Sequence, residues 1–126
     1  MNRAFLYLCG VLYLGYGLWV LLSPTTSLAY LGVDLSAVNA MSDLHGSHGG
    51  LNVAVGLFLL WSAGSGDWWR YGLWLVFLLN VGYLGGRLVA LISDGMPTGI
   101  VPLVMLMEAA LVVIAFLFAR RATPST

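Results

Sequence analysis

The sequence predicts an all-α integral membrane protein folded as a four-helix up-down-up-down bundle, and three observations carry that expectation. Of the 126 residues, 60% are hydrophobic and 8% charged, with a mean hydropathy of +0.94, far outside the soluble average. The apolar residues gather in repeated stretches of roughly 20, the length an α-helix needs to cross about 30 Å of hydrocarbon. Short connections rich in Gly, Ser, Asp and Pro separate most of them, which makes consecutive helices antiparallel neighbours. The chain reads as one transmembrane domain over residues 1–126, with spans at about 4–22, 42–63, 71–93 and 99–119.

The first span stops at Ser23-Pro24, because proline cannot continue a helix and biases its predecessor toward extended geometry. Its opening resembles a signal peptide, with Arg3 before an apolar core and Ser27-Leu28-Ala29 like a cleavage site. The apolar run is longer than most signal cores, so the segment is expected to stay as a membrane helix. An interfacial outer loop follows over about 24–40, semi-apolar at Tyr30, Leu31 and Val33 with turn formers at Gly32 and Asp34.

In the second span the clean apolar run from Leu51 to Ala63 covers only about 20 Å, short of the hydrocarbon thickness. The helix must begin earlier. Ser42 and Asp43 suit a helix N-terminus, and starting there draws His45, His48 and Asn52 into the membrane or its outer boundary.

The third and fourth spans are joined by the turn Asp94-Gly95-Met96-Pro97-Thr98, and Pro102 falls in the first turn of the fourth, where a missing N–H does little harm. Gly64-Ser65-Gly66-Asp67 makes the turn between the second and third. Arg3, Arg70, Arg120 and Arg121 all fall on the side shared by both termini and this second turn, and the opposite loops contain no Lys or Arg. The positive-inside rule therefore puts both termini in the cytoplasm, and Trp61, Trp68, Trp69 and Tyr71 flank the same boundary as an aromatic belt.

Lipid penalises polarity, so the intramembrane ionisable residues stand out: Asp43, His45, His48, Arg87 and Glu108. Counted from the outer helix ends, His48 and Arg87 each lie about 9 Å deep and Glu108 about 13 Å. Asn80, Tyr83 and Arg87 share an i, i+3, i+7 stripe on the third helix, and His45, His48 and Asn52 repeat it on the second. Gly46 and Gly50, and Gly82 and Gly86, accompany these stripes at the spacing that lets helix backbones approach. An isolated Arg or Glu at mid-membrane costs roughly 2.5 to 3.5 kcal/mol on insertion scales. Glu108 is too deep and short to reach water, so it is expected to pair with Arg87, to hydrogen-bond a histidine, or to be protonated.

Asp43, Asn80, Tyr83, Arg87 and Glu108 thus form an expected structural polar cluster. The ligand-binding alternative draws on His45, His48, Asn52, Arg87 and Glu108. No catalytic residues emerge: Ser47 beside His48 lacks a nucleophile elbow, and sequence neighbours on a helix point apart. His45 and His48 have the chemistry of metal or haem ligands, but no H-E-x-x-H or Cys-rich pattern accompanies them. Hydrogen bonding across helices is the preferred reading, and no metal site is assigned. With a formal net charge of +0 and no basic run longer than Arg120-Arg121, no nucleic-acid partner is expected.

The chain resembles a family of small bacterial four-helix membrane proteins, domain of unknown function 4345. The likeness rests on Tyr16-Gly17-Leu18-Trp19 with Ser23-Pro24, on Gly49-Gly50-Leu51 with Gly56-Leu57, and on Gly85-Gly86-Arg87 followed by Asp94-Gly95 and Glu108. It implies a four-helix fold in a bacterial inner membrane and carries no established activity. Members of the family tend to have an arginine and a tyrosine before the paired glycines, where this chain has His45 and His48.

Two functions are expected. The first is a non-enzymatic accessory or assembly subunit of a larger membrane complex, or a homo-oligomer, with membrane lipids and a membrane-protein partner around it. The alternative is a membrane-embedded binder of a hydrophobic small molecule, a quinone, lipid or haem, in the outer half of the bundle. A proton relay ranks third, because nothing continues the polar path to the cytoplasmic side.

Overall fold

The computed structural model describes residues 1–29, 32 and 36–121, and all regular structure among them is helical. Helix α1 (Asn2–Leu22) ends where the Ser23 N–H bonds the Trp19 carbonyl and the Ser23 backbone turns to φ −147°, ψ 64°. Pro24 has no N–H to extend α1 but suits the first position of a helix, and it opens the short α2 (Pro24–Ser27). Of the predicted interfacial loop, Tyr30, Leu31, Val33 and Asp34 lie outside the described residues.

Helix α3 (Val38–Leu44), a π-helical segment (His45–Gly50) and α4 (Leu51–Gly64) follow head to tail. Leu44 and Gly50 both keep right-handed helical dihedrals, so the helical backbone runs unbroken through the joins. The widened stretch His-Gly-Ser-His-Gly-Gly holds three glycines, which are poor α-helix formers. The second predicted span falls on this composite element, whose longest regular part is the 14-residue α4.

Helix α4 ends at Gly64, with Ser65 extended. Arg3 reaches across from α1: its Nη1 donates to the Ala63 carbonyl at 3.3 Å and its Nη2 to the Gly66 carbonyl at 3.0 Å. A cation thereby satisfies carbonyls that a helix C-terminus leaves without partners. Helix α5 (Trp69–Ser93) and helix α6 (Val101–Arg121) are joined by a turn in which Gly95 (φ 95°) and Gly99 (φ 66°) take the left-handed conformation that side chains disfavour.

Helices α1, α5 and α6 are each long and apolar enough to cross a membrane, as in an integral membrane protein. Their outward faces are apolar too, with Leu8, Val11 and Leu12 of α1 and Leu103 and Leu106 of α6 all exposed.

Two tight pairings hold the fold. Along α1 and α4, Arg3 meets Ala63, Gly10 meets Leu60, and Gly17 meets Val53, so contacts run in opposite order on the two helices. A Cβ added at Gly56 would lie 2.5 Å from the Leu14 amide nitrogen, and one at Gly17 would lie 2.7 Å from that of Val53. The backbones therefore touch, which only glycine permits. Helices α5 and α6 make the second pairing, with Phe77 against Phe116 (centroids 5.4 Å apart) near one end and Arg87 against Glu108 nearer the other.

The core is concentrated at one end. Leu6, Cys9, Val55, Leu59, Ala63, Leu73, Val76, Ala115 and Ala119 form one buried cluster near the Ser65–Trp68 turn. Toward the other end the two pairs separate: the buried residues of α5 are Gly72, Leu73, Val76 and Asn80, and none lies beyond. The π segment packs along α1 and its own flanks without extended packing against α5 or α6.

This separation changes the role expected of several glycines. A Cβ at Gly46, Gly82 or Gly86 would meet nothing within 4 Å, and one at Gly50 only the His45 carbonyl of its own turn at 3.8 Å. The close contacts fall instead on Gly10, Gly17, Gly49, Gly56 and Gly72. The GxxxG spacing lies on two segments that make no extended packing against each other.

Candidate functional site

Three polar contacts cross between helices in the half where apolar packing thins. The first is the ion pair. Arg87 Nε donates to both carboxylate oxygens of Glu108, at 3.1 Å to Oε1 and 2.9 Å to Oε2. Glu108 is buried on the inward face of α6, with its side chain 7% exposed, whereas the Arg87 side chain is 25% exposed. The carboxylate engages the inner edge of the guanidinium, and the two terminal nitrogens of Arg87 have no hydrogen-bond partner among the described residues.

The second contact joins α1 to the π segment: the Tyr16 hydroxyl lies 3.2 Å from His48 Nδ1, and which of the two donates depends on the imidazole tautomer. The rings meet edge to face at 6.4 Å. In the third, Asn80 Nδ2 donates to the Tyr13 hydroxyl at 3.0 Å and to the Val76 carbonyl of its own helix at 2.8 Å.

These contacts share one region. His48 lies within electrostatic range of Arg87, and Tyr13 within range of Tyr83 and Glu108. Tyr13 and Tyr16 from α1, His48 from the π segment, Asn80 and Arg87 from α5, and Glu108 from α6 therefore supply the polar contacts in this half of the bundle. Tyr83 is half-buried and makes no hydrogen bond among the described residues.

The second helix departs from the expected stripe. At about 3.6 residues per turn His45, His48 and Asn52 would share a face, but the π segment has more residues per turn and rotates them apart. His45 faces a shallow groove of about 460 Å³ lined by Ser36, Val38, Met41 and Ser42, with its Nε2 buried and without a hydrogen-bond partner among the described residues. Asn52 turns to the backbone, where its Nδ2 donates to the His48 carbonyl at 2.9 Å and the Ser47 carbonyl at 3.3 Å. Where a π turn returns to α-helix, the ladder changes partners and leaves a carbonyl short of a donor, and Asn52 supplies it. Asp43 stands exposed, with its backbone carbonyl accepting from Ser47 Oγ at 2.7 Å.

Among the described residues no three of His, Cys, Asp or Glu gather as metal ligands. Sequence reasoning brought Arg87 to Glu108 and placed Asn80 and Tyr83 beside them, but it did not bring in Tyr13 and Tyr16. Their i, i+3 spacing on α1 was the available signal, masked because tyrosine is common in apolar helices.

A family model described as Domain of unknown function (DUF4345) matches residues 1–119. No curated protein and no solved structure matches the chain.

Proposed function

From the premise that the chain belongs to the DUF4345 family, we infer that it is a non-enzymatic protein of the bacterial inner membrane that holds a hydrophobic small molecule in the outer half of its helix bundle. One observation carries this reading: the terminal nitrogens of Arg87, a partly buried cation, have no hydrogen-bond partner among the described residues, at the end of the bundle where the π segment makes no extended packing against α5. Between-helix clefts with a few convergent polar groups are where bundles bind such ligands.

The reading includes four spans arranged up-down-up-down, with both termini cytoplasmic. The helical backbone from Val38 to Gly64 is about 40 Å long at ordinary helical rise, enough for the second crossing. The opposed order of contacts in both helix pairs supports the alternating directions, and Arg3, Arg70, Arg120 and Arg121 at one end support the sidedness.

The test is solvent extraction of the protein purified in mild detergent, followed by mass analysis. One lipid-soluble species is expected in near-stoichiometric amount and is lost in Arg87→Gln/Glu108→Gln. A ligand-free wild-type preparation whose thermal stability no added quinone, lipid or haem changes would overturn the reading.

A second reading, an accessory or assembly subunit of a larger complex or a homo-oligomer, draws support from Gly82, Gly85 and Gly86, which face open space on α5. Small residues let another helix approach closely. Native mass measurement in mild detergent tests it, and a strictly monomeric protein without partners would count against it.

A further inference from the structure

At the end of the bundle away from Arg87, another cation stands without a counter-charge. Arg3 holds the turn after α4 through two neutral acceptors, the Ala63 carbonyl at 3.3 Å and the Gly66 carbonyl at 3.0 Å. Each bond takes one N–H from a terminal nitrogen, so further donors of the guanidinium and its whole positive charge are left unmatched. Among the described residues the one ion pair is that of Arg87 with Glu108, and the first turns of α1 and α5 contain no acidic residue. Asp67 is the sole described acid near this turn, and it pairs with no cation among the described residues.

Arg3 also lines a shallow groove of about 460 Å³ together with Met1, Asn2 and Trp69. The groove therefore lies where the first residues of α1 meet the first residue of α5. Arg70, next in the chain, sets its guanidinium over the Trp69 ring, 5.8 Å from the centroid, and its Nε is buried with no hydrogen-bond partner among the described residues. A second positive charge thus stands beside a residue of the groove wall, again without a carboxylate. Unmatched positive charge selects an anion, and a planar fork already steadied by two carbonyls suits the oxygens of a phosphate. Both α1 and α5 are long and apolar enough to cross a membrane, so their shared end falls at headgroup level, where tryptophan is favoured and basic pockets hold anionic lipids.

We propose that this groove binds the phosphate of an anionic phospholipid, with the remaining N–H groups of Arg3 donating to the phosphate oxygens and Arg70 adding attraction from beside Trp69. The acyl chains stay in the surrounding bilayer. The site is separate from the outer half of the bundle and does not depend on a ligand there.

The experiment titrates the purified full chain in mild non-ionic detergent and reads affinity from the thermal-unfolding shift. The probes are dioctanoylphosphatidylglycerol, dioctanoylphosphatidylcholine, whose own ammonium matches its phosphate, and inorganic phosphate. The phosphatidylglycerol is expected to bind about tenfold or more tighter than the phosphatidylcholine, and inorganic phosphate more weakly than the phosphatidylglycerol. Asn2→Asp sets a carboxylate in the groove while leaving both carbonyl bonds of Arg3 in place, and an acid in the first turn of a helix favours the fold. It is expected to reduce the preference about tenfold. Arg3→Gln is expected to do the same with some loss of stability, because it also releases the Ala63 and Gly66 carbonyls. Arg121→Gln removes a charge outside the groove and is expected to change the preference by less than about twofold, as for a screened surface charge.

Equal binding of the two phospholipids, or a preference that survives Asn2→Asp, would overturn the site. An equal loss in Arg121→Gln would do so too, by showing a general attraction to positive charge. Inorganic phosphate binding as tightly as the phosphatidylglycerol would overturn the lipid as occupant. None of these outcomes bears on the ligand of the outer half, since Arg87 and Glu108 are unchanged throughout.

Discussion

Arg87 and Glu108 meet through the Nε edge of the guanidinium, at 2.9 and 3.1 Å, and they are unequally buried. The inequality makes the pair's response to mutation asymmetric. Removing Arg87 strands a carboxylate that is 7% exposed, whereas removing the charge of Glu108 strands an arginine that is 25% exposed on a stem long enough to turn outward. Arg87→Gln is therefore expected to destabilise by about 3–5 kcal/mol, as for a buried pair broken on one side. Glu108→Gln is expected to cost clearly less, and Arg87→Gln/Glu108→Gln least. Thermal unfolding of the three variants in one detergent checks the order. Equal losses in the two single variants would show that Arg87 has no outward escape.

The glycines supply a paired expectation. A Cβ at Gly56 would lie 2.5 Å from the Leu14 nitrogen and 2.8 Å from the Gly10 carbonyl oxygen, both backbone atoms that cannot move aside. Gly56→Ala is expected to force α1 and α4 apart at a cost of about 1–3 kcal/mol, typical of overpacking. Gly86→Ala meets open space and is expected to be neutral or slightly stabilising, by up to about 1 kcal/mol from the helix propensity of alanine. Unfolding measurements on monomeric protein make the comparison. If Gly86→Ala instead lowers an oligomer's mass to that of a monomer, the accessory or oligomeric reading gains the α5 face as its interface.

The helical architecture was legible from the sequence because lipid makes composition and segment length nearly decisive. The span estimates for α1, α5 and α6 fall within a few residues of the helices observed. The Arg87 pairing was legible for a related reason: in a chain with so few charges, Glu108 has few possible partners. The placement of the polar residues on the second helix was less so. Periodicity reasoning assumes a constant turn, and the glycine-rich π segment breaks that assumption at His45, His48 and Asn52. Glycine spacing marks where helices are able to touch, but Gly56 touches and Gly86 does not, which depends on how the two helix pairs splay.

Asn52 is where that irregularity is held. Its amide donates to the His48 and Ser47 carbonyls at the junction of the π segment and α4, and the residue is buried at 4% exposure. Asn52→Leu fills the volume but removes the donor, leaving a buried carbonyl unsatisfied at a cost of about 1–3 kcal/mol. Hydrogen exchange read by mass spectrometry is expected to rise in a peptide covering residues 45–56 and to stay unchanged across α6. Uniform acceleration over the whole chain would mean that Asn52 supports global stability only. Because His48 sits in the same segment, the variant is also expected to weaken ligand retention without touching Arg87.

The four-span arrangement makes a prediction in which each position has a definite side. With the buried Cys9 replaced by alanine, single cysteines at Ala37, Asp67 and Thr98 probe the segments on either side of α4 and α5, and all three positions are exposed. A membrane-impermeant maleimide is expected to label Ala37→Cys and Thr98→Cys in intact spheroplasts, and Asp67→Cys only in inverted vesicles. The charges give the expected polarity: Arg70 follows Asp67 closely and Arg3 binds the Ala63 and Gly66 carbonyls, so both cations lie at this turn, and the positive-inside rule assigns such a turn to the cytoplasm. Labelling of Ala37 and Asp67 from one side would mean that the stretch from α3 through α4 turns back without crossing, leaving the three helices α1, α5 and α6 as the spans.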